Sequence, residues 1–400
     1  MKFLPFKATM PAADKVHLVA SRSYVSYSKE DLTRKLSENP YTFLHVIHPD
    51  VHGDYSGRRM EYFQEVRKTY LKFLSESIFS ESKQEGYYVY KQETPLFTFY
   101  GVIGGVSVED YSCGKIKIHE QTLHAREGRF TDYLEITGIN AEPVLLVSHS
   151  NGLGDVLKDC MNQQSVFCFT TTDKVKHTLW AITAKDQIHA IRQDFEHTNS
   201  LYIADGHHRS ASSVALFERV KQKGEVLSSY ENFMALVLPA EQLRIFSFHR
   251  LLSLPGFNQN DFISYLKTKG ELTALSVTPS TSSNNIGIYF KDQWWNISFF
   301  PAENQLDTEW LSKEILQGYF KIEDERSDNR INYVEGLVPT EQLVEKIDCG
   351  NSTVLFLIHP IEVNTMTEVA DAGRTLPPKS TYILPKLRSG LVIYSMQDAK

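Results

Sequence analysis

The sequence predicts a mixed α/β protein, with mixed sheets flanked by helices and one strand that turns into a helix through Asp205-Gly206-His207-His208-Arg209. Three observations predict it. Short apolar runs of strand length alternate with helically spaced stretches through the middle of the chain, joined by short links. Hydrophobic residues make up 42%, with 23 Phe and 20 Tyr, enough for a sizeable core. No long stretch has the polar composition of a disordered segment. At 400 residues the chain exceeds the usual size of one core, and its one clear polar break is Thr278–Asn285. The expected division is therefore 1–277, a main α/β domain, and 278–400, a smaller α/β portion whose tail could return to the Gly206 turn.

The elements follow in order. Ser28-Lys29-Glu30-Asp31 has the form of a capping box and starts a helix to about Glu38, which Asn39-Pro40 ends. Tyr41 to Ile47 reads as a buried strand. From Gly57 to Glu81 the spacing is helical, with Met60, Phe63, Val66, Tyr70 and Phe73 on one face. Tyr87–Tyr90 and Leu96–Val108 read as adjacent strands, with a bulge or bend at Gly104-Gly105. His119 to Glu135 reads as a long helix. Strands at Val166–Thr171 and Thr178–Thr183, a helix at Asp186–Glu196, a strand at Leu201–Ala204 and a helix at Ala211–Lys221 come next. Strands at Phe233–Leu238 and Leu243–Phe248 close the first part. Beyond the polar break lie strands near Ile286–Tyr289, Trp295–Phe299 and Val354–Ile358, and a helix near Trp310–Phe320. The tail carries two Pro-Lys pairs.

The formal charge of -7 disfavours sequence-independent binding to nucleic acid, which needs a concentrated basic face. Four cysteines without a C-x-x-C pair fit a reducing compartment. Pro5 and Lys7 cut the apolar start short of a signal core, and no run approaches the roughly 20 apolar residues of a membrane helix. The expectation is a soluble, cytoplasmic protein with no membrane partner. Nothing in the sequence sets its oligomeric state.

Asp205 to Arg209 is the strongest chemical signal. Backbone N–H groups and the dipole at a helix start favour an anion. Gly206 allows positive φ or close approach of a ligand. Arg209 could grip a phosphate through two parallel hydrogen bonds. His207 and His208 are of a type that titrates near neutrality, so either could donate a proton or attack phosphorus. Asp205 could orient an imidazole or hold a metal. A plain capping turn would not require two histidines and an arginine in succession. Adjacent histidines on a helix point about 100° apart and do not converge on one metal.

His119-Glu120 superficially suggests a zinc protease, but Leu123 stands where the second histidine belongs, and His124 is out of register. The pair matters only if it folds against Gly206. Lys379-Ser380 and Lys386 sit in a rigid, proline-bearing tail that could close over a phosphate. His45, His48 and His52, in a strand followed by a loop, would not converge on a metal. The chain has no G-x-x-x-x-G-K-[ST], no G-x-G-x-x-G after a strand, and no G-x-S-x-G. The marks of the common phosphatases, C-x5-R, Arg-His-Gly and D-x-D-x-[TV], are missing too.

Taken as an ordered set, Pro5-Phe6-Lys7-Ala8, Asn39 to Val46, Ile118 to Thr122, Tyr202 to Arg209, Pro377 to Thr381 and Pro385-Lys386 resemble the domain-of-unknown-function 1015 family. The resemblance runs over essentially the whole chain. The family's Pro-Tyr-Asp stretch is Ser23-Tyr24-Val25 here, so that aspartate is lost. The Asp-Gly-His-His-Arg core also resembles the free-serine kinases of the ParB–sulfiredoxin-like superfamily, where the equivalent turn binds nucleotide phosphates. The resemblance implies a small phosphorylated metabolite as partner, with phosphoserine or serine as substrate. The leading expectation is hydrolysis of O-phospho-L-serine. His207 or His208 would be nucleophile or acid, Glu120 or Asp205 base or orienter, and Gly206, Arg209, His119, Lys379, Ser380 and Lys386 phosphate contacts. Mg2+ is compatible with that chemistry, though no ligand spacing specifies it. The alternatives are an ADP- or ATP-dependent serine kinase and a non-catalytic binder of a nucleotide or phosphometabolite.

Overall fold

A computed structural model describes residues 1–48, 55, 57–150, 152–224, 228–302, 305–350 and 353–397. His52 lies outside them. The chain divides into two units, Met1–Leu243 with Pro385–Lys400, and Arg244–Leu384. That divide lies away from the expected line at 277/278. The polar run Thr278–Asn285 leads into the strand Asn285–Phe290 inside the second unit, and Ser282 bridges back to Asn285. A polar stretch marks an exposed turn as readily as a linker, which is why composition points there.

The first unit is built on a mixed sheet. Among the described residues its strands run Ile116–Lys117, Leu201–Asp205, Val144–Ser148, Asn232–Pro239, Thr98–Ser107, Tyr87–Glu93, Lys176–Ile182 and Phe167–Thr170, with Phe3–Leu4 also paired to Thr98–Ser107. The first pair and the Val144–Ser148 and Asn232–Pro239 pair are parallel; the rest are antiparallel. Val144–Ser148 is buried throughout, as expected for a strand covered on both faces. Its core includes Val89, Val102, Val144, Leu146, Ile203 and Val237. The helices His124–Thr137 and His207–Lys223 pack together, laced by Arg219 to Asp132 at 3.0 Å and to Glu135 at 2.6 Å. A smaller sheet joins Phe79–Glu81, Ala8–Pro11, Ile393–Ser395 and Ile139–Asn140.

Four local expectations change. Tyr41–Ile47 contains a short helix, Leu44–Ile47, in place of a strand; a brief apolar run does not distinguish a buried helical turn from a strand. Gly104-Gly105 makes no bulge: Thr98–Ser107 pairs in continuous register, and a Cβ at Gly104 would collide with the ring of Phe3. Met60 is exposed, whereas Phe63, Val66, Tyr70 and Phe73 are buried along the helix Arg59–Ser75. The helix expected from His119 begins at His124.

The second unit holds an antiparallel sheet in the order Glu271–Leu275, Gln293–Ser298, Asn285–Phe290, Val354–Leu357, Phe248–Leu252 and Ile331–Glu335. Arg244–Phe246 pairs with Tyr382–Leu384, so the ends of this unit's chain meet. The helix Asp307–Trp310 continues into a wider turn over Leu311–Gln317, with Gly318 N–H donating to the carbonyl of Lys313. Trp310 stacks on Phe299 with centroids 4.0 Å apart. No helix among the described residues is long and apolar enough to cross a membrane.

Candidate functional site

Leu201–Asp205 lies between Ile116–Lys117 and Val144–Ser148, and its ladder is irregular between Ile203 and Asp205. The strand's apolar residues Leu201, Ile203 and Ala204 are buried, and Asp205 stands at the strand's C-terminal end with its side chain half-exposed. Gly206 then takes φ 104°, ψ 26°, a left-handed conformation that costs a side-chain-bearing residue. The helix begins at once, at His207, earlier than the Ala211 that apolar spacing indicated. No side chain caps it, so its first-turn amides precede the first i→i−4 bond, Ser210 N–H to the carbonyl of Gly206.

Arg209 folds back over this turn. A Cβ on Gly206 would stand 3.1 Å from the guanidinium. Arg209 Nη2 donates to Asp205 Oδ2 at 2.6 Å; Nη1 donates to Pro143 O at 2.5 Å and Glu142 O at 3.3 Å, and lies 3.0 Å from Glu142 Oε1. Two carboxylates and two carbonyls thus surround a guanidinium only 18% exposed. The sequence suggested a phosphate grip for Arg209; in the structure it ties the helix start to the connection ahead of Val144–Ser148. Glu142 and Pro143, which complete this brace, carry no motif that sequence inspection would single out. Asp205 Oδ1 is 3.9 Å from Lys386 Nζ, so the tail's second Pro-Lys pair does reach the turn.

His119 also meets the turn. Its backbone N–H donates to His207 Nε2 at 3.4 Å, and the two rings pack edge to face with centroids 4.6 Å apart. That sideways bond is one reason the chain at His119 stays extended and the helix starts later. An imidazole nitrogen that accepts an amide N–H carries no proton, so His207 holds its proton on Nδ1. Burial drives the His207 pKa well below its ordinary value, helped by the neighbouring His119, His208 and Arg209 charges. Burial likewise pushes His119 down to about 4, against the pull of the Asp205 carboxylate and a hydrogen bond with the Ile203 backbone. Both rings are neutral at pH 7.

His208 and Glu120 are half-buried. The His208 carbonyl accepts from Ser212 Oγ at 2.7 Å, and its charge bears on Glu127, which Thr122 and His124 hold. Lys379 and Ser380 belong to the second unit. There Lys379, at φ 54°, lies with Nζ 5.0 Å from the Phe248 ring centroid, and Ser380 Oγ donates to Pro377 O at 2.8 Å. Among the described residues no three His, Cys, Asp or Glu side chains gather as a metal site.

No curated protein matches this sequence. Several solved structures resemble the chain loosely, three of them as follows. A free serine kinase in complex with AMP is 14% identical, with 72% of this chain and 90% of that one covered and a TM-score of 0.35. A conserved hypothetical protein from Pyrococcus furiosus is 14% identical over 74% and 97%, with a TM-score of 0.36. SbnI with a C-terminal truncation, from Staphylococcus aureus, is 14% identical over 72% and 85%, with a TM-score of 0.38. Likenesses this loose carry no argument about activity. The model of one family spans residues 3–316, the greater part of the sequence including the whole Asp205–Arg209 turn, and the chain therefore belongs to the DUF1015 family of proteins of unknown function.

Proposed function

We propose that the Asp205–Arg209 turn is the site of a nucleotide-dependent phosphotransferase acting on a small hydroxyl substrate, serine by the resemblance of its motif. One observation carries this over hydrolysis: the imidazole of His207 is buried, neutral and engaged at Nε2 by the His119 amide. A histidine in that state neither attacks phosphorus nor protonates a leaving oxygen. His119, neutral for the same reason, offers no imidazolium to protonate a leaving oxygen in its place. Phosphoryl transfer between a nucleotide and a hydroxyl needs no protein nucleophile; it needs the groups aligned and the charge offset.

The roles then fall as follows. The uncapped amides of the helix His207–Lys223 and the Lys386 ammonium hold phosphate oxygens. Asp205, half-exposed and fixed by Arg209, accepts the substrate's hydroxyl proton, with Glu120, next in the chain to His119, as the alternative base. Gly206 lets the phosphate approach the backbone, and His208 is a substrate contact. Mg2+, arriving as the nucleotide's own counter-ion, would offset the charge that develops on the phosphates.

The test is incubation of the purified chain with O-phosphoserine, Mg2+ and ADP, and with serine and ATP, following both the amino acid and the nucleotide. Interconversion that requires nucleotide supports the reading. Phosphate release without nucleotide returns the function to hydrolysis, and tight binding without turnover makes the chain a binder only.

A further inference from the structure

One carboxylate outside the proposed site ties two of its segments together. Glu127 lies in the first turn of the helix His124–Thr137, with its side chain mostly covered. Its Oε1 accepts from the Thr122 hydroxyl, and its Oε2 lies 3.2 Å from His124 Nδ1. The Thr122 hydroxyl first, then His124 and the His208 charge, hold the Glu127 carboxyl below its usual range against burial. Glu127 is therefore an anion at neutral pH. The His124 side chain is fully exposed, so that pair is screened by water and weak. The Thr122 bond differs, because it reaches back past the start of the helix into the connection that comes from His119.

The backbone of Glu127 is tied as well. Its carbonyl accepts from Thr131 Oγ1 at 2.8 Å, within its own helix, and from Ser212 Oγ at 3.1 Å, on the helix His207–Lys223. Ser212 is fully buried, and its Oγ also stands 2.7 Å from the carbonyl of His208, so one hydroxyl joins the opening turns of the two helices. At the other end of the connection, the His119 amide is bonded to His207. The stretch His119–Thr122 is thus held at both ends on the start of one helix, directly at His119 and through Glu127 and Ser212 at Thr122. Only Glu120 and Gln121 stand between the two anchors. Consecutive Cα atoms are about 3.8 Å apart, so the backbone of Glu120, one residue from the first anchor and two from the second, has little room to move.

We propose that Glu127 is a positioning residue, whose bond to Thr122 fixes the Glu120–Gln121 span and so presents the Glu120 carboxylate to the substrate in one place. Groups that react are sensitive to such placement, since a shift of about 1 Å can lower a rate on the order of 10²-fold. The effect on turnover rests on the phosphotransferase reading; the tether itself does not.

The test uses the full chain, with kcat and the KM for ATP measured in the reaction of serine with ATP, and hydrogen exchange followed over residues 118–123. Glu127→Ala and the isosteric Thr122→Val remove the same bond from its two ends. Each should lower kcat on the order of 10- to 10²-fold and leave the KM for ATP within about twofold. Each should also speed exchange over 118–123 while the sheet strands exchange as before. The double variant should lose no more than the worse single one, since one bond cannot be removed twice. Glu127→Gln, which keeps an oxygen for the Thr122 hydroxyl, should bring kcat back to within about threefold of the unaltered chain. Losses that add in the double variant, an unchanged kcat, or unchanged exchange over 118–123 each overturn the proposal. A Glu127→Gln chain as slow as Glu127→Ala would assign the effect to charge and overturn it as well. If the unaltered chain shows no nucleotide-dependent turnover, the phosphotransferase reading fails, and the exchange data alone decide the tether.

Discussion

The backbone N–H of His119 donates to Nε2 of His207, joining segments 88 residues apart at the start of one helix. The bond fixes the tautomer of His207, holds His119 beside it, and turns a residue that reads as a catalyst into a piece of the scaffold.

His207→Ala should therefore act first on stability. It removes a packed ring and leaves the His119 amide without its acceptor, a loss of about 2–4 kcal/mol in urea unfolding. Exposure to labelled O-phosphoserine or ATP, followed by base-stable, acid-labile trapping, should yield no phosphohistidine on the unaltered chain. A stoichiometric label on His207 or His208 would contradict the proposed chemistry.

Stability should fall on mild acidification. Burial lowers His119 and His249 to about 4 and His177 to about 3, and lowers His207 as well. Below pH 6.5 the unfolded chain takes up protons that the folded one refuses, so unfolding is favoured by falling pH. The stabilising term is whole above about pH 6.5 and is lost as pH drops through the folded values, at on the order of 1.4 kcal/mol per pH unit for each histidine. Urea midpoints at pH 7, 6 and 5 should decrease in that order; a level series would contradict the buried, neutral assignment.

Gly206→Ala should cost about 1–3 kcal/mol, since alanine is strained at φ 104° and its Cβ meets the Arg209 guanidinium. Because that guanidinium holds Asp205, turnover should fall more than stability does. A variant as stable and as active as the parent would remove the turn from the site.

Asp205→Asn separates chemistry from scaffold. Arg209 retains Glu142 and the carbonyls of residues 142 and 143, so the melting temperature should hardly change. With the proposed base gone, kcat should fall on the order of 10²- to 10⁴-fold. Wild-type kcat in this variant would move the base to Glu120.

In the second unit, Arg250 is fully buried, with Nη1 donating to the carbonyls of Phe248 and Lys379 and Nη2 to that of Pro378, and the Tyr333 ring 4.8 Å away. Burial lowers its pKa. Arg250→Met should be tolerated within about 3 kcal/mol, as buried ions often are when replaced by apolar groups, yet it unties the Pro377–Ser380 segment. Faster hydrogen exchange confined to that segment is the expected signature; unchanged exchange would deny the tether.

The strand and helix alternation and the strand-to-helix turn at Asp205–Arg209 were legible in the sequence, because each rests on local pattern; whether His119 meets that turn was left open there. What escaped it depends on contacts distant in the chain. No pattern near Arg209 says that Glu142 and Pro143 will occupy its donors, and none near His207 says that an amide 88 residues away will take its nitrogen. Burial, too, was invisible: His207 reads as reactive in water and is inert in the core where it sits.

The pairing of Arg244–Phe246 with Tyr382–Leu384 has a consequence for synthesis. The ribosome delivers the first unit in two instalments, and Lys386, Arg388 and the strand Ile393–Ser395 come in the second. Until they emerge, Asp205 is held by Arg209 alone of the two cations that flank it. Once the intervening stretch folds, its paired ends lie about 5 Å apart, so the nascent first unit meets a tight turn where a long floppy loop would otherwise have to close. If the proposed site is the right one, a chain arrested before Pro385 should lack the Lys386 contact and bind nucleotide more weakly than the full chain.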